Sequence, residues 1–404
     1  MKRIITADFF AGNRTAAMQA LEGGVLVATA YKSMQRSNDA AHKFEQEGNF
    51  WYLTGIERPG WWVIIDASRS KSWLVQPDVD PVHTLFDGSL SPERAMDISG
   101  VQEVISQREA EELLVQTARQ HRLAYTVNQP DHDHFDFVLN PAQRELRDKL
   151  ERIFADVQDF RPKLAGLRAI KQPIEIKAIQ SAIDITADAL TLVRANMATY
   201  SYEYQIEAEL SGEFRRRGAT GHAYDPIVAG AANACTLHYV ENNDKLKQRS
   251  LLLLDIGAQV EHYAADITRT VSVGVPTKRQ IDVHAAVCAA RADIVAMLRP
   301  GLSVQEYSQK VDARMKQALI GLGLIDSPDD EKYRAYFPHE ISHGLGLDVH
   351  DSLGGPTQFK AGMVLTVEPG IYIPEEGIGV RIEDDILITS SGHRNLSRHI
   401  PSTL

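Results

Sequence analysis

The residues best suited to chemistry lie between Phe337 and Asp385, in FPHEISHGLGLDVHDSLGGPTQFKAGMVLTVEPGIYIPEEGIGVRIEDD. His339, His343 and His350 sit close together in a Gly-rich segment. Two apolar runs follow, each with an awkwardly placed glutamate: Glu368 in MVLTVEPG and Glu383 in GVRIEDDILIT. An acid on a buried strand needs a partner, because an unpaired buried charge is costly. Upstream, LLLLDIG and HYAADITRTVSV read as the two strands of a hairpin. A two-residue turn at Val260-Glu261 pairs position 259 with 262 and sets Asp255 opposite Asp266. Opposed residues share a face with Cβ atoms about 5 Å apart. Two carboxylates so placed repel, and one keeps a proton unless a cation lies between them. The competing reading is structural, with Asp255 ending its strand as a polar cap.

His343, Glu368 and Glu383 complete a set of four carboxylates and one imidazole. Such a hard, oxygen-rich set favours Mn²⁺, admits Co²⁺, Zn²⁺, Fe²⁺ or Mg²⁺, and disfavours a thiolate-type structural zinc site. Several of the five can bridge, which suits two ions rather than one. Paired ions about 3.5–4 Å apart generate a hydroxide at neutral pH and polarise a carbonyl. His339-Glu340-Ile341-Ser342-His343 also matches the zinc-protease helix pattern H-E-x-x-H. The longer form of that motif needs a third histidine at position 349, which is Val349, and Pro338, Gly344 and Gly346 make a poor helix. The match is read as chance.

The elements that must position these groups fall into two parts. In the first, GGVLVAT, WWVIIDA and KSWLVQP read as strands. Glu109 to His121 and Pro141 to Val157 carry apolar residues at helical spacing. This is an α/β domain, and it holds no cluster of His, Cys, Asp and Glu. Phe50, Trp51 and Tyr52 in FEQEGNFWYLTG are expected mainly in its core. Prolines at 162 and 173 punctuate Asp159 to Lys171, which places the boundary there, with domains at 1–165 and 166–404. Pro173 starts a helix. A second helix, Tyr204 to Arg217, stops at Gly218, and two more follow at Arg279 to Leu298 and Ser303 to Leu322. Helices on an antiparallel sheet make the second part α+β.

Composition narrows the function classes. The 404 residues carry 43 Lys plus Arg against 54 Asp plus Glu, a net charge of −11, which argues against nucleic-acid or anionic-membrane partners. Two cysteines, Cys235 and Cys288, are too few for a disulfide framework and suit a reducing, cytoplasmic setting. The start, MKRIITADFFAGNRTAAM, lacks the apolar core of a signal peptide.

DIG…YAADITRT, HGLGLDVHD, LTVEPGIY and GIGVRIEDD, appearing in order and with sensible spacing, resemble the metal-dependent family of Xaa-Pro aminopeptidases and prolidases, which shares a pita-bread catalytic fold with methionine aminopeptidase. FWYLTG and KQPIEIKAI resemble the aminopeptidase P branch. The resemblance implies that Asp255 binds one metal, His343 and Glu368 the other, and that Asp266 and Glu383 bridge. Glu368 would also handle the proton of the attacking water. His238, in CTLHYVEN, and His350 would sit around the scissile bond and the proline, with Tyr224 lining the pocket. His339 would hold the tetrahedral intermediate, and Tyr372 and Arg381 would orient ligands and substrate. The implied activity is release of the N-terminal residue from peptides with proline second, by a metal-bridging water or hydroxide. An Xaa-Pro bond is a tertiary amide with no N–H to grip, and an acid must protonate the departing nitrogen. The alternatives are an Xaa-Pro dipeptidase and a pita-bread module that only binds peptides or proteins. A homodimer or homotetramer is expected.

Overall fold

In the first compact unit, Ile5–Leu167, apolar runs too short for helices become strands. The central strand, Val25–Thr29, is buried at every position, as expected where both faces are covered. It pairs antiparallel with Trp62–Asp66 and parallel with Leu123–Thr126. Lys71–Gln76 and Val104–Ser106 extend one side and Asp156–Asp159 the other, giving a mixed six-stranded sheet. The structure, a computed structural model, describes residues 4–129 and 137–404; the first three residues, part of the polar start analysed above, lie outside that range.

The helix expected over 141–157 is shorter than predicted. It spans Ala142–Glu151, and Asp156–Asp159 forms an edge strand. That strand, DVQD, buries only Val157, so it offers almost no apolar alternation to read. Phe50, Trp51 and Tyr52 are buried on the helix Gly48–Thr54. Phe10 meets Trp51, and Phe9 meets Tyr52, edge to face at ring distances of 5.1 and 5.7 Å, a favoured aromatic geometry.

The second unit, Arg168–Leu404, is α+β, and every strand pair in it is antiparallel. Two helices, Lys278–Met297 and Val304–Gly321, turn apolar stripes toward the sheet. Val283, Val287, Ala290 and Ile294 recur at helical spacing on the first, and Tyr307, Val311, Met315 and Leu319 on the second. They share one core with Leu365, Val367, Ile371, Val380 and Ile386 from the strands. The helix Pro173–Ala195 starts on its proline, with a Gln172–Glu175 capping box. The helices therefore hold the site strands from one face. Among the described residues no helix is long and apolar enough to cross a membrane.

One buried side chain ties this packing to pH. His284, on the helix Lys278–Met297, is buried, and burial first, then the charges of Arg194 and Arg291, lower its pKa to about 4 from 6.5. Between those values the folded chain binds fewer protons than the unfolded chain. Stability therefore falls as pH drops from 6.5 toward about 4. Replacing His284 by Gln is predicted to flatten the pH dependence of the urea midpoint across that window. A slope equal to that of the parent protein would contradict this account.

Candidate active site

The hairpin that carries the two aspartates forms, but in a different register from the one expected. Ser250–Ile256 pairs with Ile267–Val273 so that Asp255 faces Thr268 and Ile256 faces Ile267. The turn residues are Glu261 and His262, at φ 48° and 68°, between the paired Val260 and Tyr263. Two left-handed residues suit a tight hairpin turn, yet such turns prefer Asn-Gly, so nothing in Glu-His marks the position. The slip relative to expectation is even, and side chains alternate with period two. Asp255 and Asp266 therefore remain on one face, as diagonal neighbours. Gly257 permits the close approach between them: a Cβ there would stand 1.8 Å from the Ala265 carbonyl oxygen.

His343 reaches this face because residues 341–345 run beside Val364–Val367. The Thr366 N–H donates to the His343 carbonyl, and the Glu368 N–H to the Ile341 carbonyl. The segment 339–343 is irregular, with bends at His339 and Ile341 and no helix, so the H-E-x-x-H match has no zinc-protease geometry. The His343 Nδ1–H donates to the Gly344 carbonyl at 3.0 Å, which turns Nε2 toward the carboxylates. Nε2 lies 3.3 Å from Asp266 Oδ2 and 3.4 Å from Glu368 Oε1. Asp266, His343 and Glu383 each offer a ligand atom within 4.8 Å of the others.

The electrostatics of this cluster call for a cation. Burial, then the neighbouring carboxylates, pushes Glu383 well above the usual carboxylate range. Burial likewise raises Asp266, with Asp255 adding to it, and Glu368 is raised to about 7, burial again the largest cause. Burial would lower His343, but Asp266 and Glu368 outweigh it and raise it to about 9. The Tyr224 hydroxyl lies 2.6 Å from Asp255 Oδ1 and 2.7 Å from Asp266 Oδ1. It has one proton for two carboxylate oxygens. The donor set is hard and oxygen-rich, its buried carboxylates repel one another, and a bound cation would displace the proton that they hold on His343. These residues fit divalent cations.

The other expected residues lie around this face. Arg381, buried, donates to Asp255 Oδ2, to the Tyr372 oxygen at 2.7 Å and to Thr268 Oγ1 at 3.2 Å. The Tyr372 hydroxyl is 2.8 Å from His339 Nε2, while His339 Nδ1 donates to the Glu340 carbonyl at 2.7 Å. Arg381, Tyr372 and His339 thus form a chain, and burial, then Arg381, lowers His339 to about 4. His350 packs against His343 with ring centroids 4.2 Å apart and the planes tilted by 53°. Although His350 is exposed, desolvation of its ring, then the charges of His343 and His238, lowers it to about 4. His238 is exposed on the turn that follows the short helix Ala231–Cys235.

Several supporting groups escape sequence reasoning. Thr268 donates to Glu383 Oε2 at 2.6 Å, and Thr366 to Glu368 Oε1 at 3.2 Å. Each is two residues from a proposed ligand, so strand parity could have found them. Asp385 Oδ2 accepts the Asp266 N–H at 3.2 Å. Asp351, beside His350, accepts from Lys171 at 3.1 Å and from Arg168 at 2.8 Å, across a sequence gap that no local pattern reveals.

Residues 177–390 match the family model of metallopeptidase family M24, and residues 10–125 that of the aminopeptidase P N-terminal domain. The chain is 34% identical over 395 residues to the Xaa-Pro aminopeptidase of Haemophilus influenzae, spanning 92% of this chain and 89% of that protein. It is 32% identical over 425 residues to that of Escherichia coli, spanning 99% and 96%. Among solved structures, the low-pH form of E. coli aminopeptidase P superposes with a TM-score of 0.87 at 30% identity, covering 98% of this chain and 96% of that one. Proline aminopeptidase P II from Yersinia pestis gives 0.86 at 32% identity, covering 98% and 97%. The architecture expected from sequence, an α/β domain followed by an α+β pita-bread domain, is therefore the architecture of this chain. The family match agrees with the gathered Asp266, His343 and Glu383 in assigning a divalent-metal site. The chain belongs to metallopeptidase family M24.

Proposed function

We propose that this chain is a dinuclear metal-dependent exopeptidase that releases the N-terminal residue from peptides with proline in the second position. The observation that carries the proposal is the convergence of buried carboxylates on His343, ringed by His339 and His350. The Xaa-Pro aminopeptidase relatives support the substrate class. Asp255, Asp266, His343, Glu368 and Glu383 would hold two divalent ions, with Mn²⁺ the best suited to so oxygen-rich a set. Bound ions would supply Lewis acidity toward the carbonyl and lower the pKa of water to about 7.

The protein's own groups divide the remaining work. Glu368, which accepts from Thr366 at 3.2 Å and lies 3.4 Å from His343, would take the proton of the attacking water and return it to the departing proline nitrogen. Tyr372 accepts from Arg381, which leaves its own proton for His339 or for a developing oxyanion. Neutral His350 and exposed His238 would flank the scissile bond and the proline ring, and Tyr224 would hold Asp255 and Asp266 in place as well as line the pocket. We also propose a homodimer or homotetramer, supported by Val82, Leu85 and Phe86, all exposed on the helix Pro81–Asp87. The free thiols of Cys235 and Cys288 support a cytoplasmic location.

After chelation, adding Mn²⁺ is predicted to restore cleavage of an Xaa-Pro-Yaa tripeptide. Turnover of the Xaa-Pro dipeptide alone would make the chain a dipeptidase, and no turnover with any divalent metal would overturn the proposal. Glu368→Gln should lower kcat by about 10²–10⁴-fold, measured on protein checked for folding by circular dichroism. Metal should also raise the melting temperature. A hundredfold excess over Kd corresponds to about 2.7 kcal/mol, and Asp266→Ala should abolish most of that rise in a thermal-shift titration.

A further inference from the structure

Glu203 opens the helix Glu203–Arg216. An acid in a first helical turn usually stands in water, where it complements the helix dipole. Here the side chain is fully buried. Oε1 accepts from the Gly230 N–H at 2.8 Å and the Asn233 Nδ2–H at 3.1 Å. Oε2 accepts from the Tyr239 hydroxyl at 2.8 Å and the Asp244 N–H at 2.8 Å. The Glu203 N–H in turn donates to the Asp244 carbonyl at 3.0 Å. None of these four donors to the carboxylate is a cation, so hydrogen bonds alone compensate the burial of its charge.

The four donors come from both ends and the middle of a single segment, residues 230–244, and that segment carries His238. Leu237 and Tyr239, on either side of His238, pack against a cluster that contains Ile227, Leu253 and Tyr372. His238 itself is exposed. Burial, then Glu203, raises the Tyr239 phenol to about 12, so Tyr239 remains a donor to the carboxylate at neutral pH. The helix, the carboxylate and the segment form one connected support ending at His238.

We propose that Glu203 is a positioning residue that fixes the segment 230–244 and, through it, the place of His238 against the peptide. The proposal rests on the reading of His238 given above. Glu203→Gln keeps the shape but sets an amide donor against donors that expect an oxygen. In the full-length, Mn²⁺-loaded protein it should lower kcat/KM on an Xaa-Pro-Yaa tripeptide by about tenfold or more. In a His238→Ala background the same change should cost less than about twofold, since coupled residues are non-additive. Equal losses in both backgrounds would overturn the proposal.

Hydrogen exchange supplies a readout independent of activity. Glu203→Gln should lose protection in 230–244, while the strands Ser250–Ile256 and Ile267–Val273 keep theirs. Unchanged exchange in 230–244 would overturn the proposal even if the parent protein proved to cleave no tripeptide, an outcome that would sink the peptidase reading separately. If Glu203→Gln does not fold, Tyr239→Phe removes one of the four bonds and should show a smaller loss with the same dependence on His238.

Discussion

Gathering several carboxylates in a sheet interior is the constraint on which the second unit depends. Desolvation disfavours each ionised group, and like charges a few ångströms apart disfavour one another. The protein places counter-charges at two of these acids. Arg381 binds Asp255, and Arg269 and Arg291 both bind Asp384. Arg269 is almost fully buried and uses its whole fork. It donates to Asp384, to the carbonyls of Thr268 and Glu383, and to those of Ile400 and Pro401. One guanidinium thus joins the strand that follows Asp266 to the backbone of Glu383. Among the described residues, no Lys or Arg ion pair reaches Asp266, Glu368 or Glu383, and these are the groups that a bound cation would neutralise.

The imidazoles follow the same logic. His343 and His339 each commit Nδ1 to a backbone carbonyl, so the carbonyls select the tautomer and aim Nε2 into the site. Their environments then diverge. His343, among carboxylates, is raised to about 9. Desolvation and neighbouring positive charge lower half-buried His339 and the more exposed His350 to about 4. Among the carboxylates His343 holds a proton that a bound cation would displace, while His339 and His350 stay neutral hydrogen-bonding groups at neutral pH.

Much of this was legible in the sequence. The proposed ligands stand out because Asp255, Asp266, Glu368 and Glu383 interrupt apolar runs, where an acid needs a reason. The α/β and α+β halves were legible for a similar reason, in runs such as VLVAT and in helical stripes such as Val283, Val287 and Ile294. The hairpin register was not, because Glu261 and His262 adopt a turn conformation that their side chains do not advertise. The inference from it survived only because an even slip preserves the face. The strand Asp156–Asp159 was missed for want of apolar alternation. Arg269 and Glu203 were missed because charged residues in a strand pattern or at a helix start read as solvent-facing. Only the tertiary fold shows that both are buried and that their partners lie across the unit.

The central claim is that the carboxylate cluster holds two divalent cations. The most direct test is to dialyse the chelated protein against Mn²⁺ at equilibrium and count bound metal per chain by elemental analysis, beside Asp266→Ala and Glu383→Ala variants. The account predicts two ions per chain in the parent protein and a clear loss in each variant. A parent protein that binds no Mn²⁺, or variants that bind as much as the parent, would contradict it.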